Sequence, residues 1–99
     1  MTAALHTLLE HAEHERDETL AALLQAETTL RRLLAQSEQL RDYRDEVRTR
    51  HPALGGRSAG IEALRCHQGF MQRLEQALHQ QDGQQRAQQA RCAALRAEL

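Results

Sequence analysis

Apolar residues recur along the first half of the chain in alternating steps of four and three. From Leu5 the series runs Leu5, Leu9, Ala12, Arg16, Thr19, Leu23, Ala26, Leu30, Leu33, Ser37, Leu40, Arg44, Val47. Only Arg16, Thr19, Ser37 and Arg44 depart from it, and the residues between are mostly charged or glutamine. Held over about six heptads, a 3.5-residue repeat is the pattern of a coiled coil rather than of a lone amphipathic helix. Thr2 offers an N-cap oxygen, and the spacing predicts a first helix from about residue 3 to about 50.

The segment His51-Pro-Ala-Leu-Gly-Gly-Arg-Ser-Ala-Gly60 breaks this pattern. Pro52 biases His51 away from helical backbone, and Gly55 and Gly56 are permissive. Ser58 is a candidate N-cap with Glu62 near the first turn. A turn is therefore expected over about 51–58 and a second helix over about 59–97. That helix has its own seam: Leu64, His67, Met71, Leu74, Leu78, Gln81, Gln85, Gln88, Cys92, Leu95, Leu99. A short connection between long helices favours antiparallel neighbours. The expected fold is all-α: two long helices forming an antiparallel coiled-coil hairpin, a single domain over residues 1–99.

The second seam starts apolar, turns polar at Gln81, Gln85 and Gln88, and recovers. Two readings fit: a loosely packed, solvated section facing Arg16 and Thr19, or a frayed stretch that partners can open. Gly83 weakens the same stretch by ~1 kcal/mol against Ala. The helix breaks off at Leu99 without a capping glycine or proline, as expected where a natural chain continues.

Composition supports the helical reading and narrows the function. Aromatics are limited to one Tyr and one Phe, and Pro52 is the single proline. Thirteen basic residues, all Arg, are interspersed with 14 acidic ones for a net charge of -1. No basic stripe forms, which argues against nucleic acid as a partner. No secretory leader precedes the helix and no apolar run reaches the ~20 residues of a membrane span, so a cytoplasmic protein without membrane insertion is expected. Cys66 and Cys92 lie on one expected helix, about 40 Å apart at ~1.5 Å per residue. That is far beyond disulfide reach.

Catalytic constellations are absent. There is no Ser/His/Asp set, no phosphate-binding glycine loop and no paired-cysteine motif. A two-helix hairpin also lacks the water-excluding pocket that catalysis needs. Neither catalytic residues nor a cofactor are expected. His6, Glu10, His11, His14 and Glu15 crowd one end of the first helix. Pairs of them share a face, but a zinc site takes three or four convergent ligands. The reading is a solvated charged face with no metal site.

Tyr43 and Phe70 each sit one residue from a seam position and come close together across the hairpin. Around them Gln36, Leu40, Tyr43, Val47 on one helix and Phe70, Leu74, Ala77, Gln81 on the other form two stripes. Either Leu40, Val47 and Leu74 seal the core and the rings cover it, or the stripes form an aromatic–aliphatic docking patch.

The same segments carry a family resemblance. Ser37-Glu-Gln-Leu-Arg-Asp-Tyr-Arg-Asp-Glu-Val-Arg48, the glycine-bearing turn, and His67-Gln-Gly-Phe-Met-Gln-Arg-Leu-Glu-Gln-Ala-Leu-His-Gln-Gln81 resemble the FliJ family. So does the opening Leu-Leu-Glu-His-Ala-Glu-His-Glu-Arg-Asp-Glu run. These are small coiled-coil proteins of bacterial flagellum biogenesis, part of the flagellar type III export apparatus on which motility depends. The resemblance implies a non-enzymatic stalk and adaptor similar to the central stalk of rotary ATPases. Its implied partners are the flagellar export ATPase, the cytoplasmic domain of the export-gate membrane protein, and export chaperones. Its implied location is cytoplasmic, peripherally associated with the inner membrane at the flagellar base.

Carried onto this chain, the family's gate-binding patch matches Gln36, Leu40, Tyr43, Phe70, Leu74 and Ala77. Val47 stands where an aromatic is common, and Gln81 where other polar residues occur. The implied ATPase-facing end comprises Leu5, Leu9, Leu95 and Leu99. Family members usually extend the second helix into a longer basic segment, so that end is expected to be shortened here. The competing expectation is a generic coiled-coil scaffold, or an injectisome stalk analogue, that self-associates.

Overall fold

A computed structural model describes residues 2–55 and 60–99, with side chains for 2–50 and 60–99. The chain is all-α, two long helices in an antiparallel coiled-coil hairpin. Helix α1 spans Thr2–Gly55 and α2 spans Ile61–Glu98, with no strand among the described residues. Both are rich in Ala, Leu, Gln, Glu and Arg, the strongest helix formers. Threonine hydroxyls are satisfied within α1 itself. The hydroxyls of Thr7, Thr19, Thr28, Thr29 and Thr49 each donate to the carbonyl one turn back, at 2.8–3.1 Å.

The helix ends differ from the expected ones. Thr2 is the first helical residue of α1 rather than its cap, and α1 passes the break expected at His51 to end at Gly55. The bias that proline imposes on its predecessor is a preference, and adding residues to an existing helix costs little compared with nucleating one. Ser58, the expected cap of the second helix, lies outside the described residues. Gly60 takes that role: its carbonyl accepts from the amides of Ala63 at 3.0 Å and Leu64 at 3.4 Å. Glycine is among the residues favoured there, and Glu62 sits in the first turn as expected.

The chain divides into two compact units, Met1–Arg31 with Arg86–Leu99, and Arg32–Gln85. In the first, Leu23, Ala26 and Cys92 form a buried cluster, with Leu30 and Leu95 packed against it. Glu27 of α1 accepts from Arg96 of α2 at 3.0 Å. In the second, residue numbers rise on α1 as they fall on α2: Leu33 meets Gln85, Ser37 meets Gln81, and Arg44 meets Glu75. Leu33, Leu74 and Leu78 are its buried apolar residues.

From Thr19 to Val47 on α1 and from His67 to Leu95 on α2, every seam position is buried or half-buried. The periodicity therefore identified the contact face. Before Thr19 it did not. All described residues up to Glu18 are exposed, and Leu5, Leu8 and Leu9 remain 57–65% accessible. In this stagger Leu95 packs against the Leu23 cluster.

Candidate docking surface

Tyr43 and Phe70 are placed by heptad geometry. Each precedes a seam residue, Arg44 and Met71, and so projects to the same edge of the antiparallel pair. Their rings meet edge-to-face, centroids 5.9 Å apart and planes at 83°. This arrangement suits the positive edge and negative face of aromatic rings. Tyr43 remains 44% exposed and Phe70 is half-buried, so the pair is a surface feature and not core.

The other expected patch residues divide by depth. Gln36 is exposed; Leu40, Val47, Ala77 and Gln81 are half-buried; Leu74 is core, 7% exposed. Gln81 donates to the Gln36 side chain at 3.5 Å, which ties the two stripes together at their polar end. Leu74 therefore supports the surface from beneath, while Gln36, Tyr43, Phe70, Ala77 and Gln81 supply what a partner could touch.

The opposite edge of this unit carries charge. Arg48 donates to Glu75 at 2.9 Å, and Arg44 lies 3.6 Å from the same carboxylate. A shallow groove there is lined by Arg41, Arg44, Glu75, Leu78, His79 and Asp82. These exposed pairs are screened by water and salt, so each adds little stability.

The glutamines of α2 behave differently from either expectation. Gln85 is 7% exposed and Ser37 only 1%. The Ser37 hydroxyl donates to Gln81 Oε1 at 2.6 Å, and Gln85 Nε2 donates both to the Ser37 hydroxyl and to the Leu33 carbonyl. No buried side-chain nitrogen or oxygen among the described residues lacks a partner. Gln81 and Gln85 are therefore packed and bonded rather than loosely solvated, and their partner on α1 is Ser37 rather than Arg16 or Thr19. Ser37 was the available clue: a small polar residue at a seam position that matches a polar stretch on the partner helix.

At the other end of α1 the histidines form three separate one-turn pairs with glutamates: His6–Glu10, His11–Glu15 and His14–Glu18, at 2.9–3.1 Å. All lie in solvent, and no group of three ligating residues converges among the described residues. Of the expected ATPase-facing residues, Leu5 and Leu9 are exposed along one helix, Leu95 packs into the Leu23 cluster, and Leu99 is 53% exposed. Cys66 is exposed and Cys92 buried, both as free thiols. No described helix is long and apolar enough to cross a membrane.

Comparison with known proteins gives one assignment. A family model described as Flagellar FliJ protein matches residues 1–99, the whole chain. No match was found among curated proteins or among solved structures.

Proposed function

Because the chain belongs to the flagellar FliJ family, with a role in flagellar type III export, we propose that it is a stalk and adaptor joining the export ATPase ring to the membrane export gate. The family is one of non-enzymatic structural proteins of export. In this reading the rod meets the gate protein's cytoplasmic domain through Gln36, Tyr43, Phe70, Ala77 and Gln81, supported by Leu40, Val47 and Leu74. Leu5, Leu9, Leu95 and Leu99 belong to the end that faces the ATPase. Export chaperones are further partners, and the protein works in the cytoplasm at the inner-membrane face of the flagellar base.

The observation that carries the gate contact is the Tyr43–Phe70 pair. It is ordered by its own edge-to-face contact, yet it leaves Tyr43 44% exposed, and among the described residues it is the one aromatic pair the two helices form. Exposed aromatics held in one geometry lose little conformational freedom on binding and rank among the residues that dominate interfaces. A stiff rod also suits a ring partner. If its side chains bind two subunit conformations unequally, it shifts the population between them.

The test is a pull-down against the export ATPase and the gate protein's cytoplasmic domain, with wild type and Tyr43→Ala/Phe70→Ala. Retained helicity with gate affinity lowered at least about tenfold is the expected result. Loss of folding in the double variant would make the rings structural. A stable dimer that binds neither partner would replace the adaptor with a self-associating scaffold.

A further inference from the structure

We infer that the buried Ser37–Gln81–Gln85 layer is a register lock, holding α1 and α2 in one antiparallel stagger against pairings displaced by a heptad. The inference is independent of which partners the protein binds. It starts from a weakness of the seam. Leucines and alanines repeated at heptad spacing re-pair with other leucines and alanines when one helix slides by seven residues, so apolar contact alone distinguishes the registers poorly.

The exposed ion pairs discriminate only in part. Sliding α2 by a heptad replaces Glu75, the partner of Arg44 and Arg48, by Gln68 or by Asp82. In the second case an acidic residue still faces the arginines. The polar layer disfavours both shifts. Gln85 would occupy the place of Cys92, buried among Leu23 and Ala26, or of Leu78, a buried seam residue beside Arg41 and Arg44. Ser37 would be replaced opposite the glutamines by Leu30 or Arg44. A backbone carbonyl one heptad away can replace that of Leu33, but the side-chain bond to Ser37 has no substitute: Leu30 is apolar, and Arg44 only donates and cannot accept from Gln85 Nε2. A buried donor is left short of a partner, a costly state.

The layer is also connected in one direction. Gln85 donates to Ser37, Ser37 to Gln81, and Gln81 to Gln36 at the surface. Each donor depends on the next acceptor being in place, so a displaced register breaks the chain at every link. A single buried polar residue is known to specify coiled-coil register at some expense in stability. Here three residues from both helices share that task.

The experiment reads register directly by disulfide formation to Cys92 in the full chain, in a glutathione redox buffer, with Cys66→Ser throughout. Ala26→Cys reports the native stagger, since Ala26 and Cys92 share one buried cluster. Thr19→Cys and Leu33→Cys report the two stagger shifts of one heptad. In the otherwise unchanged chain only Ala26→Cys should cross-link. With Ser37→Leu/Gln85→Leu added, the chain should stay helical with a melting temperature equal or higher. At least one shifted reporter should then rise from background to a yield comparable with the native one, within or between chains. Cross-linking confined to Ala26→Cys after the layer is removed would overturn the lock, as would shifted cross-links in its presence. If paired leucines prevent folding, Ser37→Ala/Gln85→Met is read by the same criteria.

Discussion

Cys92 and Ser37 are the two most completely enclosed side chains described, each 1% exposed, and they are enclosed in opposite ways. Cys92 sits among Leu23 and Ala26, where contact is non-directional and volume decides the energy. Ser37 sits between two carboxamides, where bond geometry decides it. Equal burial therefore carries different information. The dry layer supplies adhesion that many staggers could supply, and the polar layer supplies a preference for one.

The comparison breaks most visibly in the dry layer. Leu23→Ala should lower the unfolding free energy by about 2–4 kcal/mol, from lost transfer energy and an incompletely closed cavity. Urea denaturation followed by circular dichroism measures it. Next come the substitutions that carry one layer's chemistry into the other or delete it. Cys92→Ser puts a hydroxyl where Leu23 and Ala26 offer it no acceptor side chain, and should destabilise by about 1–3 kcal/mol. Ser37→Ala removes the oxygen shared by two glutamines and should cost about 1–2 kcal/mol. If Ser37→Ala proved neutral while Cys92→Ser did not, the polar layer would be no more than tolerated.

Smaller effects sharpen the contrast. A methyl added at Gly83 meets nothing within 4 Å, so Gly83→Ala should stabilise α2 by about 0.5–1 kcal/mol through helix propensity alone. The thermal midpoint would rise without a change in oligomeric state. Glu75→Gln, at the exposed Arg44/Arg48 site, should cost less than about 1 kcal/mol. That difference should shrink further in 1 M salt, where screening acts over about 3 Å. A large loss that persists in salt would mean these charges, rather than the buried layer, discriminate among registers.

Much of the architecture was legible in the residues. The four–three spacing identified the contact face from Thr19 to Val47 and from His67 to Leu95, and Glu62 marked the start of the second helix. Tyr43 and Phe70 were legible as neighbours because both flank the seam close to the hairpin's connection. The stagger was not legible. A heptad pattern states which side of a helix is apolar but not which residue lies opposite. Arg16 and Thr19 were the residues expected opposite the glutamine stretch, whereas Gln81 and Gln85 meet Ser37.

By itself, then, the sequence determined helicity, the presence of a hairpin and the face each helix presents, because these follow from local propensity and periodicity. Only the tertiary structure decided that Leu5 and Leu9 are exposed while Leu23 and Leu33 are buried, that Leu74 lies beneath the candidate surface, and that three polar residues form a closed layer. Each of those depends on the offset between two helices. That offset is set by side chains meeting across the interface, and no window along one strand of sequence contains both halves of such a contact.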